Sequence, residues 1–227
     1  MEFAEVIRRR RMVRSYTAEA VPRQLVERVL ECGLRAPSAG FSQGWAFMVL
    51  EGDEQTGAFW KATERPGSQV RSGGRLDRLR SAPVIIVPLA HKAAYLARYA
   101  EPDKIEHGLD REAAWPAPYW DIDTAFATMA MLLAATDAGL GALFFGLFTD
   151  PDDLHEAFGV PDEYRPIGAI TLGWPAPDDP PSPSLARGRR SRDETVHFGR
   201  WKPISGCEAD PAGKLSGDER DHHRPRP

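Results

Sequence analysis

The stretch from Asp121 to Ala138 restricts the possible folds more than any other part of this chain. Aliphatic and aromatic side chains occupy most of its positions, and Gly139 follows directly. A helix that is apolar nearly all round needs cover on several sides, so it lies at the centre of a domain or at a subunit interface. Its apolar part, 122–135, is shorter than the roughly 20 residues that a membrane-spanning helix requires. The pattern therefore predicts a central helix that does not cross a membrane.

The order of the other elements predicts an α+β fold. Two helices, at 2–11 and from Pro22 to Gly33, precede the first strand, so the chain does not follow a regular βαβ repeat. The apolar residues of segment 91–118 show no clear helical or strand periodicity, which favours an irregular lid or binding loop. A short helix is predicted at 150–158, and apolar runs predict the strands of a small central sheet at 45–50, 83–90, 143–148 and 167–172.

The composition excludes several classes of protein. The 227 residues, 42% of them hydrophobic, suit one globular domain with extensions. A formal net charge of −4 does not favour nucleic acid as a partner. Cys32 and Cys207 are too few and too far apart for a disulfide framework or a zinc site, so a cytoplasmic location is the simplest expectation. The acidic first residues do not resemble a signal peptide, and no membrane partner is expected.

The common sequence signatures of side-chain catalysis are missing. No Gly-x-Gly-x-x-Gly follows a strand, and neither a Walker sequence nor a Gly-x-Ser-x-Gly elbow occurs. Most histidines are isolated, so no metal site is predicted. If the chain is an enzyme, a bound cofactor must supply the chemistry.

Arg10, Arg11 and Arg14 belong to the first of two basic clusters. Guanidinium groups bind phosphate oxygens through paired hydrogen bonds and stay charged at physiological pH. On a helix, Arg10 and Arg14 would share a face, while Arg11 would point elsewhere. A small-anion site, a solvated helix end and a nucleic-acid arm all remain open on this evidence.

The second basic cluster follows a proline-rich linker and contains Arg187, Arg189 and Arg190. Two clusters from opposite ends of the chain could reach one anion. Between them, the small residues of segment 37–40 form a turn in which backbone N–H groups can approach a planar ligand closely. An ordinary loop before a strand is the alternative interpretation of that turn.

Several aromatic residues are candidates for a ligand pocket. Trp115, Tyr119 and Trp120 lie among prolines, where they could form a lid over a flat ligand, although burial in a core is the more common role. Phe41, in the small-residue turn, is the fourth candidate for the substrate pocket.

Residues 2–201 resemble the nitroreductase family of flavin oxidoreductases. The segment 10–16 (Arg-Arg-Met-Val-Arg-Ser-Tyr) resembles the family's Arg-Arg-Ser-x-Arg-x-aromatic motif, with Met12 in place of the usual serine. By this resemblance, Arg10, Arg11 and Arg14 hold the phosphate and ribityl chain of FMN.

Three further segments resemble the family in the same order. Segment 36–45 resembles Ala-Pro-Ser-x-x-Asn-x-Gln-Pro-Trp, with Phe41 for the asparagine and Gly44 for the proline, which implies a more apolar pocket. Segment 139–146 resembles the family's Gly-Leu-Gly segment, and Arg187–Arg190 resembles its C-terminal basic motif. The resemblance implies flavin contacts from Pro37, Ser38, Ala39, Gln43, Phe144, Phe145 and Gly146, and phosphate contacts from Arg187, Arg189 and Arg190.

The resemblance also implies an architecture and a reaction. It implies a small, mostly antiparallel sheet flanked by helices in an intertwined homodimer, with a domain at 1–202 and a polar, disordered tail at 203–227. NADH or NADPH would reduce FMN, and a nitroaromatic, quinone or related acceptor would reoxidise it, with no catalytic side chain. Dehalogenation, heterocycle oxidation, flavin cleavage and non-catalytic flavin binding remain as alternatives.

Overall fold

The computed structural model describes residues 1–64 and 75–202. The chain divides into two compact units, Met1–Pro180 and Pro181–Pro227. The domain boundary predicted at 202/203 falls inside the second unit and stays a prediction, and the predicted tail lies outside the described residues. Within the described ranges, no helix combines the length and hydropathy needed to cross a bilayer.

The first unit contains both helices and strands, and two helices precede its first strand. Its helices are α1 (Phe3–Arg9), α2 (Arg23–Leu34), α3 (Gly52–Ala62), α4 (Arg75–Arg80), α5 (Lys92–Tyr99), α6 (Tyr119–Asp137) and α7 (Pro151–Phe158). Its strands are β1 (Trp45–Glu51), β2 (Val84–His91), β3 (Gly141–Phe145), β4 (Tyr164–Pro166) and β5 (Ala169–Gly173). The second unit contains a 3₁₀ turn, Pro183–Arg187, and the short helix α8 (Arg192–Thr195).

The strands form one five-stranded sheet in the described residues, ordered β1-β2-β5-β3, with β4 also paired to β2. Every pairing between these strands is antiparallel. The α+β class and the small antiparallel sheet are therefore confirmed.

Strand β2 shows why its sequence is apolar throughout. Successive side chains of a strand point to opposite faces of the sheet. Val84 and Ile86 pack with α2 and α6 on one face, whereas Ile85 and Val87 pack with α3 and α7 on the other. All four side chains are buried, because helices cover the sheet on both sides.

The predicted central helix is confirmed as α6. It ends at Asp137, and Gly139 follows with a left-handed φ of 79° that lets the chain leave the helix. The prediction that Gly33 ends α2 is wrong, because the helix continues to Leu34. Gly33 instead faces α6, where an added Cβ would lie 2.8 Å from Cγ of Met131.

Two other predictions need correction. Segment 91–118 is not irregular throughout, because Lys92–Tyr99 forms α5; its alanines, Leu96 and Arg98 are good helix formers. The first helix ends at Arg9 rather than at residue 11. The chain then becomes extended, and Met12 forms a parallel bridge to Ala142 of β3. Helix α3, which follows β1, was not predicted.

A close contact holds this extended segment against the sheet. The backbone N–H of Val13 donates to the carbonyl oxygen of Ala142 at 3.0 Å. A Cβ on Gly141 would lie 2.8–2.9 Å from three side-chain atoms of Val13, so only glycine allows this approach. Residue 141 therefore controls how residues 10–14 lie along β3.

We expect Gly141→Ala to destabilise the fold by about 1–3 kcal/mol, because the added methyl group overpacks a filled contact. The same substitution should cost less in a Val13→Ala background, where two of the clashing carbons are gone. Urea denaturation of the four proteins in this cycle measures the coupling. Gly57→Ala on α3 is the control, because open space surrounds that position. Equal costs of Gly141→Ala in both backgrounds would contradict the packing argument.

Candidate functional site

The arginine segment, residues 10–14, has two different sides because it is extended rather than helical. Side chains alternate in an extended chain, so Arg10, Met12 and Arg14 lie on one side and Arg11 on the other. The side chains of the first three are partly buried, and that of Arg11 is exposed. The helix on which the predicted grouping of Arg10 with Arg14 rested ends at Arg9, so that premise was wrong, and the grouping itself stays a prediction.

Arg11 is occupied by a buried carboxylate. Its Nη1 donates to Asp179 Oδ2, and the backbone N–H of Arg14 donates to Oδ1 of the same side chain at 2.9 Å. The Asp179 side chain has no exposed surface, so these donors take the place of water as its hydrogen-bond partners. Arg11 therefore anchors segment 10–14 to residue 179, and its predicted contact with a ligand stays a prediction.

The two remaining guanidinium groups differ in their surroundings. Arg14 donates from Nη1 to the carbonyl oxygen of Met12 at 2.8 Å, which orients its side chain locally. Among residues 1–64 and 75–202, no carboxylate forms an ion pair with Arg10. Arg10 thus retains a positive charge that an anion could neutralise.

The edge of β3 lies directly beside this segment. The carbonyl group of Ala142 points towards Val13, and therefore away from β5. Backbone groups of residues two apart in an antiparallel strand point to the same side, so the N–H and C=O of Phe144 also point away from β5. Gly146, just beyond the strand, is exposed. The side chain of Phe145 stacks on Trp60, with ring centroids 5.6 Å apart, so it belongs to the core. Only backbone groups are thus offered to a ligand here.

The small-residue turn, which in the structure extends over residues 37–43, has an unusual backbone. Gly40, Phe41 and Gln43 have φ angles of 60°, 57° and 48°. Phe41 and Gln43 are the non-glycine residues with positive φ in the described part of the chain. Phe41 is also 74% exposed, so its ring gains little from burial. A bulky residue in this region is an outlier, and such outliers are concentrated at functional sites.

Side chains of helices α5 and α6 hold this turn through hydrogen bonds. Asp123 Oδ2 accepts the N–H of Ala39 and the hydroxyl of Tyr95, each at 2.8 Å. Arg98 Nε donates to the carbonyl oxygen of Gly40 at 2.9 Å. Nη1 and Nη2 of Arg98 each donate to a carboxylate oxygen of Asp103 at 2.7 Å. This ion pair raises the pKa of Arg98 and lowers the pKa of Asp103 to about 2.

The turn and the arginine segment lie at opposite ends of α6. Ala39 bonds to Asp123 near the start of the helix, whereas Val13 packs on Gly141 just beyond its end. Fourteen helical residues between Asp123 and Asp137 correspond to about 21 Å. One protomer therefore does not bring the two halves of the predicted site together.

Comparison with known families identifies the chain. The sequence profile of the nitroreductase family matches residues 7–174, which include the arginine segment, the small-residue turn and the whole sheet. The chain belongs to the nitroreductase family. The predicted family is therefore confirmed, and with it membership of a class of oxidoreductases.

Individual relatives of this nitroreductase-family chain are distant. A protein of Methanothermobacter thermautotrophicus, whose name pairs NADH dehydrogenase with NAD(P)H nitroreductase, is 26% identical over 88% of each chain. The 5,6-dimethylbenzimidazole synthase of Rhodospirillum rubrum is 27% identical over 81% of this chain and 86% of that enzyme. The solved structure of an FMN-dependent nitroreductase of Clostridium difficile shares the fold, with a TM-score of 0.60 at 20% identity over 86% and 98% of the two chains.

The family's C-terminal basic motif lies in the second unit. Arg187 ends the 3₁₀ turn, and Arg189 and Arg190 follow it; all three are exposed. Arg190 Nη2 donates to the carbonyl oxygen of Glu194 at 3.1 Å, within the same unit. Convergence of these arginines with Arg10 and Arg14 stays a prediction.

The aromatic candidates form a packed cluster beside the turn. Trp120 is buried, and Trp115 donates from Nε1 to the carbonyl oxygen of Leu109 at 2.8 Å. Their rings pack edge-to-face with Tyr95, and Tyr119 lies against Trp115. The cluster packs against Ala39, so it underlies the turn. A direct contact of Trp115, Tyr119 or Trp120 with substrate stays a prediction.

Sequence reasoning missed Asp123, Tyr95 and Asp179. The signal for Asp123 was present, because a carboxylate inside a largely apolar helix must find donors when it is buried. The partners of that carboxylate lie 84 and 28 residues away and have no local signature. Asp179 stands in a proline-rich segment that we interpreted only as a linker.

Proposed function

We propose that this chain is an FMN-dependent oxidoreductase that uses NADH or NADPH to reduce nitroaromatic, quinone or related acceptors. The observation that carries the proposal is the bridge between Met12 and Ala142, which holds the arginine segment against the edge of β3. It joins two of the family's four motifs in one place. Family membership and the names of relatives support the choice of cofactor and electron donor.

The residues present fit FMN. Arg10 and Arg14 offer fixed positive charge for a phosphate, and guanidinium forks match its oxygens. The backbone groups of Phe144 at the open strand edge suit the polar edge of a planar ring. When bound, FMN supplies the redox chemistry by accepting a hydride from the nicotinamide and passing electrons to the acceptor.

A second copy of the chain completes the site in this proposal. Phe126 and Met129, three residues apart on α6, are 50% and 40% exposed, and Phe3 of the adjacent α1 is 70% exposed. Such an apolar face is typical of a protein interface. Antiparallel packing of two α6 helices would bring the turn of one protomer to the arginine segment of its partner. A two-fold axis then creates two equal sites.

The chain's own residues act by binding and orientation. Arg10 and Arg14 hold the phosphate end, the edge of β3 orients the ring, and the partner's turn covers it. Phe41 supplies an apolar surface where an acceptor would stack, and it excludes water from that side. No side chain acts as an acid or base in this scheme.

We expect the isolated protein to bind FMN, and Arg10→Gln to weaken this binding about 10- to 100-fold, because a hydrogen bond to a charged group contributes about 1.5–3 kcal/mol. Fluorescence titration of the FMN-free protein with FMN measures the dissociation constant. Arg8→Gln is the matched control, because Arg8 donates to the carbonyl oxygen of Ala4 on the outer side of α1.

Absorption spectra test the whole proposal in the same experiment. NADH or NADPH should bleach the flavin band, and a nitroaromatic or quinone should restore it. A wild-type protein that stays colourless after FMN is added would overturn the proposed function. Loss of reduced FMN in air, without NAD(P)H turnover, would favour flavin cleavage instead.

Phe126→Asp and Met129→Asp together should convert a dimer into monomers, since two charges would be buried in an apolar interface. Light scattering after size exclusion should show the mass halved, and FMN affinity should fall at least about 30-fold, the effect of losing a typical 2 kcal/mol hot spot. Leu34→Asp, on α2, is the control at another exposed apolar position. A monomeric wild type with tight FMN binding would contradict the shared site.

Phe41→Asn should separate stability from acceptor binding. Asparagine tolerates left-handed φ better than phenylalanine, so the melting temperature should stay equal or rise. The KM for an apolar quinone should rise about 3- to 10-fold, because an aromatic contact contributes roughly 0.5–1.5 kcal/mol. Steady-state kinetics with a polar and an apolar acceptor measure the difference. An unchanged ratio of the two KM values would exclude Phe41 from the acceptor pocket.

A further inference from the structure

We propose that Asp123 and Tyr95 are positioning residues for the flavin-facing turn, segment 37–43. In this proposal the Tyr95 hydroxyl orients the Asp123 carboxylate, which holds the Ala39 N–H and so sets where the turn presents Phe41. The inference rests on the proposed function for what the turn contacts, but the support of the turn is visible in this chain alone.

The burial of Asp123 is the first argument. The residue is 3% exposed on a helix whose other positions are largely apolar. A buried carboxylate is costly unless donors surround it, and no described lysine or arginine forms an ion pair with it. Its named donors are the Ala39 amide and the Tyr95 hydroxyl. Because an apolar side chain would suit α6 better, this carboxylate serves the turn rather than the helix.

The Tyr95 hydroxyl is a permanent donor. The ring is fully buried, and this burial, together with the adjacent Asp123, raises the pKa of Tyr95 far above its usual value. A raised tyrosine pKa keeps the hydroxyl protonated at every physiological pH. The Tyr95 hydroxyl should therefore donate to Asp123 across that range.

Gly44 explains how Tyr95 reaches this position. A Cβ on Gly44 would lie 2.4 Å from Cε2 of the Tyr95 ring and 2.8 Å from the carbonyl oxygen of His91. The ring thus occupies the space left by the glycine that ends the turn. The family's usual proline at this position could not coexist with Tyr95, so Gly44 and Tyr95 depend on each other.

One face of α5 contacts the same turn. Tyr95, Arg98 and Tyr99 stand at i, i+3 and i+4, which are neighbours on a helix surface. Arg98 binds the carbonyl oxygen of Gly40, and Cε2 of Tyr99 lies 2.8 Å from where a Cβ of Gly40 would be. The three side chains thus act on adjacent residues of the strained backbone.

Three variants test this support against a matched control. Tyr95→Phe removes one donor, and Asp123→Ala removes both hydrogen bonds, while Asp123→Asn keeps an acceptor for the Ala39 amide. Tyr164→Phe is the control, because it deletes a hydroxyl from β4, outside the turn and the two helices that hold it, and no described residue forms a hydrogen bond with that hydroxyl. Hydrogen exchange of the Ala39 amide in the FMN-free protein is the readout specific to the turn.

Asp123→Ala should speed Ala39 exchange about 10- to 100-fold, Tyr95→Phe less, and Asp123→Asn should return it towards wild type. The acceptor KM and the FMN dissociation constant should rise about 3- to 10-fold in Tyr95→Phe, with a smaller change in kcat, because binding geometry rather than chemistry is disturbed. Tyr164→Phe should match the wild type in every measurement.

Unchanged Ala39 exchange in both Tyr95→Phe and Asp123→Ala would overturn the proposal, as would equal effects in Tyr164→Phe. Faster exchange with unchanged FMN and acceptor binding would also overturn it, since the turn would then be held for stability alone. If the wild type binds no FMN, the proposed function fails, and faster exchange in the variants still supports the assignment of the two residues that position the turn.

Discussion

The contact between Val13 and Gly141 determines where the positive charge of the N-terminal segment lies. Close packing at this point allows a single register, in which Met12 stands beside Ala142. Because sides alternate along an extended chain, that register turns Arg10 and Arg14 one way and Arg11 towards Asp179. A slip of one residue would exchange the two sides. A small apolar contact thus sets the register of all three arginines.

The length of α6 imposes the second constraint. A straight helix is a rigid spacer, and this one separates the arginine segment from the small-residue turn by about 21 Å. The same helix leaves an apolar face exposed around Phe126 and Met129. Antiparallel pairing of two copies would cover that face and join the separated halves. One arrangement therefore accounts for both the split site and the uncovered surface.

Much of the fold could be predicted because its signals are local. The apolar runs of β1 and β2 and the uniform hydropathy of α6 are readable in short windows. The path of residues 10–14 was not, because the helix is ended by a bridge to Ala142, which is 130 residues away in the sequence. The support of Ala39 by Asp123 was hidden for the same reason. The candidate site was therefore recognisable from its motifs, but the arrangement of its parts depends on contacts between distant segments.

The backbone of the turn is imposed by its surroundings rather than chosen by its own residues. A left-handed conformation costs about 1–2 kcal/mol for a residue with a side chain, and both Phe41 and Gln43 adopt it. The net contribution of one hydrogen bond is only about 0.5–1.5 kcal/mol, rising to about 1.5–3 kcal/mol with a charged partner. The bonds to Asp123 and Arg98 are therefore of the size needed to offset this strain. It follows that the direction of Phe41 depends on buried side chains of α5 and α6, so changes there can alter recognition without touching a ligand.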